Sequence, residues 1–267
     1  MEEFINHMRS KAFSDNTISS YACAIEQLRE KIGDDFSDEH LLGYKDALVA
    51  GHSVKTVNTR ITAINCYLDY IGYDGIRLKG LRTQQKPFLD NVISQQEYER
   101  LRDSLKADGE LFWHYVVRFL TCTGARISEL RQFTVEAVQV GHLDLISKGQ
   151  KLRRIYIPSN LRNDALTWLR DIERTQGYVF VSKSDTPMSA RGISLGLKRF
   201  AAKYGINQDV VYPHSFRHRF AKNFIEKNPD IALLADLMGH ENLETTRIYL
   251  RRTASEQRAA VDATIDW

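Results

Sequence analysis

The sequence predicts a mainly helical α+β fold of two domains, a helical bundle followed by a larger domain that contains one β-hairpin. Three observations lead to this prediction. Apolar residues recur at helical spacing along most of the 267-residue chain, a pattern typical of amphipathic helices. The periodicity stops over residues 73–92, and the stretch around Gly149 alternates between apolar and polar residues as a hairpin does.

The first 80 residues are predicted to form a small helical bundle, with helices over 3–11, 14–33, 37–51 and 53–72. The second of these begins with cap-type residues and ends at Gly33, and the third has the same start and stop signals. The helix over 53–72 has an apolar stripe that is expected to face the core. The stripe consists of Val57, Ile61, Ile64, Leu68 and Ile71.

Residues 73–92 contain glycines, polar residues and Pro87, and they lack helical periodicity. Such a composition is typical of a linker. We therefore expect a first domain at 1–80, a linker at 81–92 and a second domain at 93–267. The second domain begins near Ser94, a helix-capping residue that has Glu97 three positions later, in the pattern of a capping box.

The second domain mixes helices with short strands. Alternation in HLDLISKGQKLRRIYIP (142–158) predicts a β-hairpin that turns at Gly149, and YVFVS (178–182) is predicted as a short strand. Helices are predicted over 94–106, 110–124, 126–134, 160–175, 189–204, 214–227, 230–238, 243–250 and 253–264.

The composition, 43% hydrophobic and 27% charged, is ordinary for a globular protein. A net charge of +3 permits nucleic acid as a partner without requiring it. The start, MEEFINHM, lacks the basic and apolar regions typical of a secretory signal, so none is expected, and no stretch nears the ~20 apolar residues of a membrane span. Cys23, Cys66 and Cys122 are expected to be buried free thiols. These features predict a cytoplasmic protein without membrane contact.

Residues 214–220, HSFRHRF, place two histidines four apart and Arg217 three after His214. A zinc site on this helix face would need a glutamate where Ser215 stands, and Arg217 would repel a cation. A phosphate site is favoured over a metal site, because His214 and Arg217 can point at one spot and a guanidinium matches phosphate oxygens. Taken alone, such a pair is more often a solvated basic helix face.

Four further segments carry candidate chemistry. Arg126 follows Thr-Gly-Ala at the start of a helix, with Glu129 one turn on; the pair is either an ordinary surface ion pair or a fixed anion contact. Lys148 lies at the hairpin tip, where a lysine is usually solvated. His240 follows a glycine at a helix end, and Tyr249 lies nine residues later. A tyrosine with a pKa of ~10 needs cations or a base nearby to act as a nucleophile.

These residues together resemble the tyrosine recombinase (phage integrase) family. The segments TGARISEL, SKGQK, HSFRHRFA and LMGHENLETTRIY are similar to that family's arginine box, hairpin lysine, HxxR box and GHxxxxxTxxY box. The resemblance covers about residues 93–252. Residues 1–80 are similar in size and pattern to the family's SAM-like core-binding domain, so the chain looks like a minimal two-domain, Xer-like recombinase.

The resemblance implies a site-specific DNA recombinase that cuts and rejoins strands. Tyr249 would attack a phosphodiester, form a 3′-phosphotyrosine link and free a 5′-hydroxyl. A second 5′-hydroxyl would then attack the link, so no ATP, metal or other cofactor is required. Arg126 and Arg217 would hold the non-bridging oxygens of the phosphate and stabilise charge in the transition state.

The other matched residues receive supporting roles from the same resemblance. His214 would accept or orient the tyrosine proton, and His240 would hydrogen-bond the phosphate. Lys148 would be the acid for the leaving 5′-oxygen, with Lys151 as the alternative. Glu129 would orient Arg126 or His214.

The implied partners are double-stranded DNA with a specific recombination site, further copies of the chain in a tetramer on two DNA sites, and possible accessory proteins. The C-terminal tail would dock onto a neighbouring copy, and the protein would be nucleoid-associated when on DNA. Candidate DNA contacts are Lys55, Thr56, Asn58, Thr59, Arg60, Lys79, Arg82, Lys86, Arg191 and Lys198.

Two other functions stay open. A type IB topoisomerase would share the chemistry but relax any supercoiled DNA as a monomer. A non-catalytic DNA-binding regulator would share only the fold, and the intact set of catalytic residues argues against it. For a recombinase, the outcome would be integration, excision, inversion or dimer resolution.

Overall fold

The computed structural model describes residues 1–82, 91–146, 152–240, 246 and 254–265. The chain divides into two compact units, Met1–Gln85 and Lys86–Trp267. The described residues are mostly helical, with a single two-stranded antiparallel sheet among them. The predicted fold class is therefore confirmed.

The first unit is a bundle of four helices: α1 (Glu2–Ser10), α2 (Asp15–Ile32), α3 (Asp38–Gly51) and α4 (Val54–Tyr70). Ser14 and Ser53 cap α2 and α4, since each hydroxyl accepts a hydrogen bond from a backbone N–H three residues later. The stripe predicted for α4 is buried except for Ile71, which is 41% exposed because it lies just past the end of the helix.

Residues 73–82 contain no helix or strand, yet they are fixed to the first unit. The side-chain amide of Asn65 bonds both the N–H and the carbonyl of Leu78, and Asn58 does the same with Leu81. Leu78 is buried in the bundle core. The loss of periodicity at residue 73 therefore marks the end of a helix rather than the start of a free linker.

The second unit surrounds one apolar helix, α6 (Leu111–Thr123). Because nine of its side chains are buried, α6 has no solvated face. The other elements before the hairpin are α5 (Gln95–Ala107), α7 (Ile127–Leu130) and α8 (Val135–Val140). After the hairpin come α9 (Ser159–Asp171), α10 (Ala190–Lys203), α11 (Pro213–Lys227), α12 (Ile231–Met238) and α13 (Ala254–Thr264).

The predicted hairpin is confirmed, with β1 (His142–Ile146) paired antiparallel to β2 (Leu152–Tyr156). Burial alternates along β2, so Arg153 and Ile155 face inward while Arg154 faces out toward Asp144. Residues 147–151, including the tip, lie outside the described residues.

Three sequence predictions are wrong. Of the helix predicted over 126–134, only α7 forms, because the chain leaves the helical conformation after it and Thr134 caps the separate helix α8. Residues 178–182 form only isolated bridges, since Val179 and Phe180 are buried in the core as part of an irregular segment. The cysteines are free thiols as expected, but they are not buried: Cys23 is exposed, and Cys66 and Cys122 are half-buried.

The helix predicted over 243–250 lies outside the described residues, apart from the helical residue Thr246. None of the helices in the described part of the chain is long and apolar enough to cross a membrane.

Candidate active site

The HSFRHRF segment forms the first turns of α11, where Arg217 is completely buried. Its guanidinium donates to the carbonyls of Gly124 and Met238, at 2.6 Å each. These carbonyls lie at the C-terminal ends of α6 and α12, where carbonyl groups lack partners within the helix and favour a positive charge. The two helix ends therefore compensate the desolvation of the Arg217 guanidinium.

The loop that carries Arg126 depends on Gly124. This glycine ends α6 with a φ of 63°, and a Cβ there would lie 2.5 Å from the ring of Phe220. The chain then turns so that Arg126 caps α7. The Arg126 N–H donates to one Glu129 oxygen at 2.6 Å, and its guanidinium donates to the other at 2.8 Å.

The Glu129 carboxylate lies at the centre of the arginine side chains. It is buried, forms ion pairs with Arg126 and Arg153, and lies 3.9 Å from Arg217. Burial by itself raises the pKa of Glu129, but the backbone hydrogen bond from Arg126 and the charges of Arg153 and Arg126 outweigh it, so the pKa is lowered. Glu129 is therefore ionised at neutral pH.

Arg153 is a site residue that the sequence interpretation missed. It lies on the inward face of β2, is 9% exposed, and reaches both Glu129 and the carbonyl of Leu237. A signal for it was present in the sequence. In the alternating run, Arg153 occupies the same face as Ile155, and a charge at an apolar position of a strand needs a buried partner.

The C-terminal end of α12 binds all three arginines. Three successive carbonyls there each accept a hydrogen bond from a different guanidinium. The pairs are Leu237 with Arg153 at 3.2 Å, Met238 with Arg217 at 2.6 Å and Gly239 with Arg126 at 3.2 Å. The end of one helix thus collects side chains that come from α11, the hairpin and the loop after α6.

Gly239 is required at this position for two reasons. It ends α12 with a φ of 62°, in the left-handed region. A Cβ on Gly239 would also lie 2.5 Å from the side chain of Arg153. The glycine thus turns the chain toward His240 and leaves room for Arg153.

His240 is half-buried beside the arginines. Its Nε2 lies 2.9 Å from the guanidinium of Arg217, and its Nδ1 lies 2.9 Å from the hydroxyl of Thr246. Burial and the charges of Arg217, Arg126 and Arg153 lower the pKa of His240 to about 4. The imidazole is therefore neutral at neutral pH.

The other residues of HSFRHRF separate into exposed and buried positions. His214 is exposed, and its ring packs edge-on against His218 at 4.7 Å between centroids. Burial lowers the pKa of His218 to about 3. Arg219 is buried and donates to the carbonyl of Ile93.

Several predicted site residues cannot be placed in this cluster. Lys148, Lys151, Tyr249 and Lys86 lie outside the described residues. Six candidate DNA contacts are exposed: Lys55, Thr59, Lys79, Arg82, Arg191 and Lys198. Thr56 and Arg60 are half-buried, and both ends of the Asn58 amide are bonded to Leu81, so a base contact by Asn58 would compete with those bonds.

The charge balance of the cluster suits an anion. Three guanidiniums surround one carboxylate, and the neighbouring imidazole of His240 is neutral. Arginine offers a planar set of donors that matches phosphate oxygens. The part of the chain that is described contains no group of three or more metal-ligating side chains.

Comparison with known proteins agrees with this chemistry. The model of the phage integrase family matches residues 91–256. The "Tyrosine recombinase XerA" of Pyrococcus furiosus is 29% identical over 269 residues, covering 98% of this chain and 92% of the relative. The chain belongs to the phage integrase family. Within it, the chain is a tyrosine-type enzyme, a site-specific DNA recombinase.

Solved structures share the fold. XerH recombinase bound to its difH substrate has a TM-score of 0.71 and 18% identity, covering 93% of this chain and 80% of that one. A lambda integrase tetramer bound to a Holliday junction has a TM-score of 0.74 and 14% identity, covering 100% of this chain and 77% of that one. These likenesses extend over both units.

Proposed function

We propose that this recombinase cuts one DNA strand by attack of Tyr249 on a phosphodiester, which leaves a 3′-phosphotyrosine link and a free 5′-hydroxyl. A 5′-hydroxyl from another strand then attacks the link and reseals the DNA. The observation that carries the proposal is the cluster of Arg126, Arg153 and Arg217 around Glu129. His240 lies beside this cluster, and Tyr249 follows His240 by nine residues in the sequence.

The arginines supply electrostatic stabilisation. A phosphoryl centre under attack gains negative charge on its non-bridging oxygens, and preorganised donors lower the energy of that state. We assign the direct contacts to Arg126 and Arg217. Their Nη2 atoms now donate to the carbonyls of Gly239 and Met238. A charged phosphate oxygen is a stronger acceptor than a carbonyl and can take over these donors.

Proton transfer is assigned to residues at the edge of the cluster. His214 is exposed at the start of α11, so it is accessible to the hydroxyl of an incoming tyrosine. It would accept or orient that proton as Tyr249 becomes a nucleophile. Lys148, or Lys151 in its place, would protonate the leaving 5′-oxygen. His240 would hydrogen-bond the phosphate.

Double-stranded DNA is the proposed partner, bound by several copies of the chain. The solved XerH and lambda integrase structures are complexes with DNA, and the latter is a tetramer. Exposed basic residues of this chain would contact phosphates along the duplex. The tail helix α13 would join neighbouring copies, since Val261 on it and Ile265 just after it each expose about half of their surface. The protein would associate with the nucleoid through DNA.

Covalent capture tests the proposal. The protein and its Tyr249→Phe variant are incubated with fragmented DNA from the source genome, denatured, and the attached DNA is sequenced. We expect wild-type protein alone to retain DNA, from a few discrete sites. Retention of fragments from everywhere would favour a topoisomerase. Equal retention by Tyr249→Phe, or none by either protein despite binding, would contradict the proposal.

A further inference from the structure

The hydrogen bonds at the two nitrogens of His240 define which one carries the proton. A guanidinium only donates hydrogen bonds. Nε2 of His240 lies 2.9 Å from Nη2 of Arg217, so Nε2 accepts. A neutral imidazole has one protonated nitrogen, which places the proton on Nδ1. Nδ1 then donates to the Thr246 hydroxyl at 2.9 Å.

The surroundings of the ring support the neutral form. The positively charged groups near it are Arg217, Arg126 and Arg153, with His214 also contributing, and burial disfavours a charge further. An imidazolium would direct its Nε2–H against the donors of Arg217. The described geometry is therefore that of the neutral Nδ1–H tautomer.

The position of Thr246 allows its hydroxyl to fix the orientation of the His240 ring. Thr246 is completely buried, and it lies six residues after His240 and three before Tyr249 in the sequence. A threonine hydroxyl can either accept or donate a hydrogen bond. It is therefore able to bond Nδ1 in both tautomers of the neutral ring, which valine, of the same shape, could not do.

We propose that Thr246 is a positioning residue: its hydroxyl holds the ring of His240 so that Nε2 faces Arg217 and the phosphate, and it supports both tautomers of the ring. The proposal rests on the proposed function.

Without DNA, the Thr246 hydroxyl accepts a hydrogen bond from Nδ1–H of His240, while Nε2 accepts one from Arg217. When Arg217 turns to the phosphate, Nδ1 gives its proton to water, Nε2 takes one from water, and the Thr246 hydroxyl rotates to donate to Nδ1. The neutral ring then donates from Nε2 to a phosphate oxygen.

The first test measures the wild-type protein and uses a variant only to assign signals. The protein is labelled with ¹⁵N-histidine, and the His240 signals are assigned by their loss in His240→Gln. In the DNA-free protein at neutral pH, we expect Nδ1 to be protonated and Nε2 unprotonated. A protonated Nε2 would overturn the proposal, whatever the enzyme does with DNA.

The second test compares Thr246→Ser, which keeps the hydroxyl, with Thr246→Val, which removes it. We expect Thr246→Val to lower the rate of covalent adduct formation on genomic DNA fragments by about tenfold to a hundredfold, because Nδ1 loses the hydroxyl that would donate to it while Nε2 bonds the phosphate. DNA affinity should stay unchanged, and Thr246→Ser should keep most of the rate. Adduct formation by Thr246→Val at the wild-type rate would overturn the proposal.

These outcomes are separate from those of the proposed function. If Tyr249→Phe still forms the adduct, the proposed function fails, but the tautomer of His240 can still be measured. If Tyr249 is essential while Thr246→Val and Thr246→Ser both match wild type, the function stands and the role of Thr246 is refuted. A loss of rate in both Thr246 variants would also refute it, since the hydroxyl would not be the group that matters.

Discussion

At the scale of single residues, Glu129 allows three arginines to share one small buried volume. Its two oxygens bind Arg126 and Arg153, and Arg217 lies 3.9 Å away. Without this carboxylate, the guanidiniums would repel one another in a poorly solvated site. Glu129 therefore preserves the shape of the site, while leaving an excess of positive charge for a phosphate.

Glu129→Gln should destabilise the fold by about 3 kcal/mol, because it leaves buried arginines without their counter-charge. Urea unfolding at about pH 7 measures the change in the free energy of unfolding. The matched control is Asp144→Asn, which breaks the exposed pair with Arg154 and should cost much less, because solvent screens an exposed ion pair. Equal effects of the two substitutions would show that Glu129 has no special role.

The same variant should change how stability depends on pH. The folded-state pKa of Glu129 lies below its ordinary value of 4.5. Its contribution to stability is therefore complete above that pH and is lost as the pH falls through the lowered pKa. Unfolding of wild type and Glu129→Gln should converge as the pH is lowered below about 4.5. A difference that grows in acid would contradict the assignment.

Arg153→Lys tests the residue that the sequence interpretation missed. Lysine keeps the charge but lacks the planar fork that reaches Glu129 and Leu237 together. We expect the rate of adduct formation to fall by about tenfold. Arg154→Lys is the control, since Arg154 lies next to it on the exposed face of β2 and should behave as wild type. Equal rates of adduct formation for the two variants would show that Arg153 has no role in the reaction.

At the scale of elements, the site is built on the ends of helices. Carbonyls at the ends of α6 and α12 accept hydrogen bonds from the arginines, and the N-terminal turn of α7 holds Glu129. Helix ends have free backbone groups and a partial charge of fixed sign. Because these ends lie within rigid packed helices, the donors are oriented before any DNA arrives.

Gly239→Ala should damage this arrangement through the end of α12. A left-handed alanine costs about 1–2 kcal/mol, and its Cβ would also push on Arg153. The control is Gly141→Ala, another left-handed helix end, where the nearest atom lies 3.5 Å away. Both variants should lose stability in urea unfolding, but only Gly239→Ala should also lose adduct formation. Normal adduct formation by Gly239→Ala would contradict the account.

The element scale also shows what the sequence could predict. Local signals located the capped and glycine-terminated helices well, such as α2, predicted over 14–33 and observed over Asp15–Ile32. The apolar run at 178–182 was misassigned because a buried irregular segment has the same composition as a buried strand. Arg126, Arg217 and His240 were recognised from their motifs. The meeting of Arg126, Arg153 and Arg217 at three carbonyls at the end of α12 depends on tertiary packing, which no local pattern encodes.

At the scale of the whole molecule, the chain has two units, each with its own apolar core. In the first unit, Asn58 and Asn65 hold residues 78–81 on α4. The exposed Lys79 and Arg82 are therefore presented from a fixed backbone. Fixed cations lose less conformational entropy when they bind a phosphate than those on a free chain.

Replacing Lys79 or Arg82 by glutamine should weaken DNA binding and reduce the dependence of log Kd on log salt concentration by about one per residue. Binding to a genomic DNA fragment across a salt series measures this slope. Arg9→Gln is the control, because Arg9 is exposed on α1 of the same unit but outside the predicted contacts. An equal change in slope for Arg9→Gln and Lys79→Gln would show that Lys79 is not a specific DNA contact.

The most direct test of the central claim is to identify the amino acid and the DNA end in the covalent adduct. Captured complexes are digested with nuclease and protease, and the nucleotide-bearing peptide is sequenced by mass spectrometry. We predict a single nucleotide joined through its 3′-phosphate to Tyr249. A nucleotide on any other side chain, or a link through a 5′-phosphate, would contradict the account.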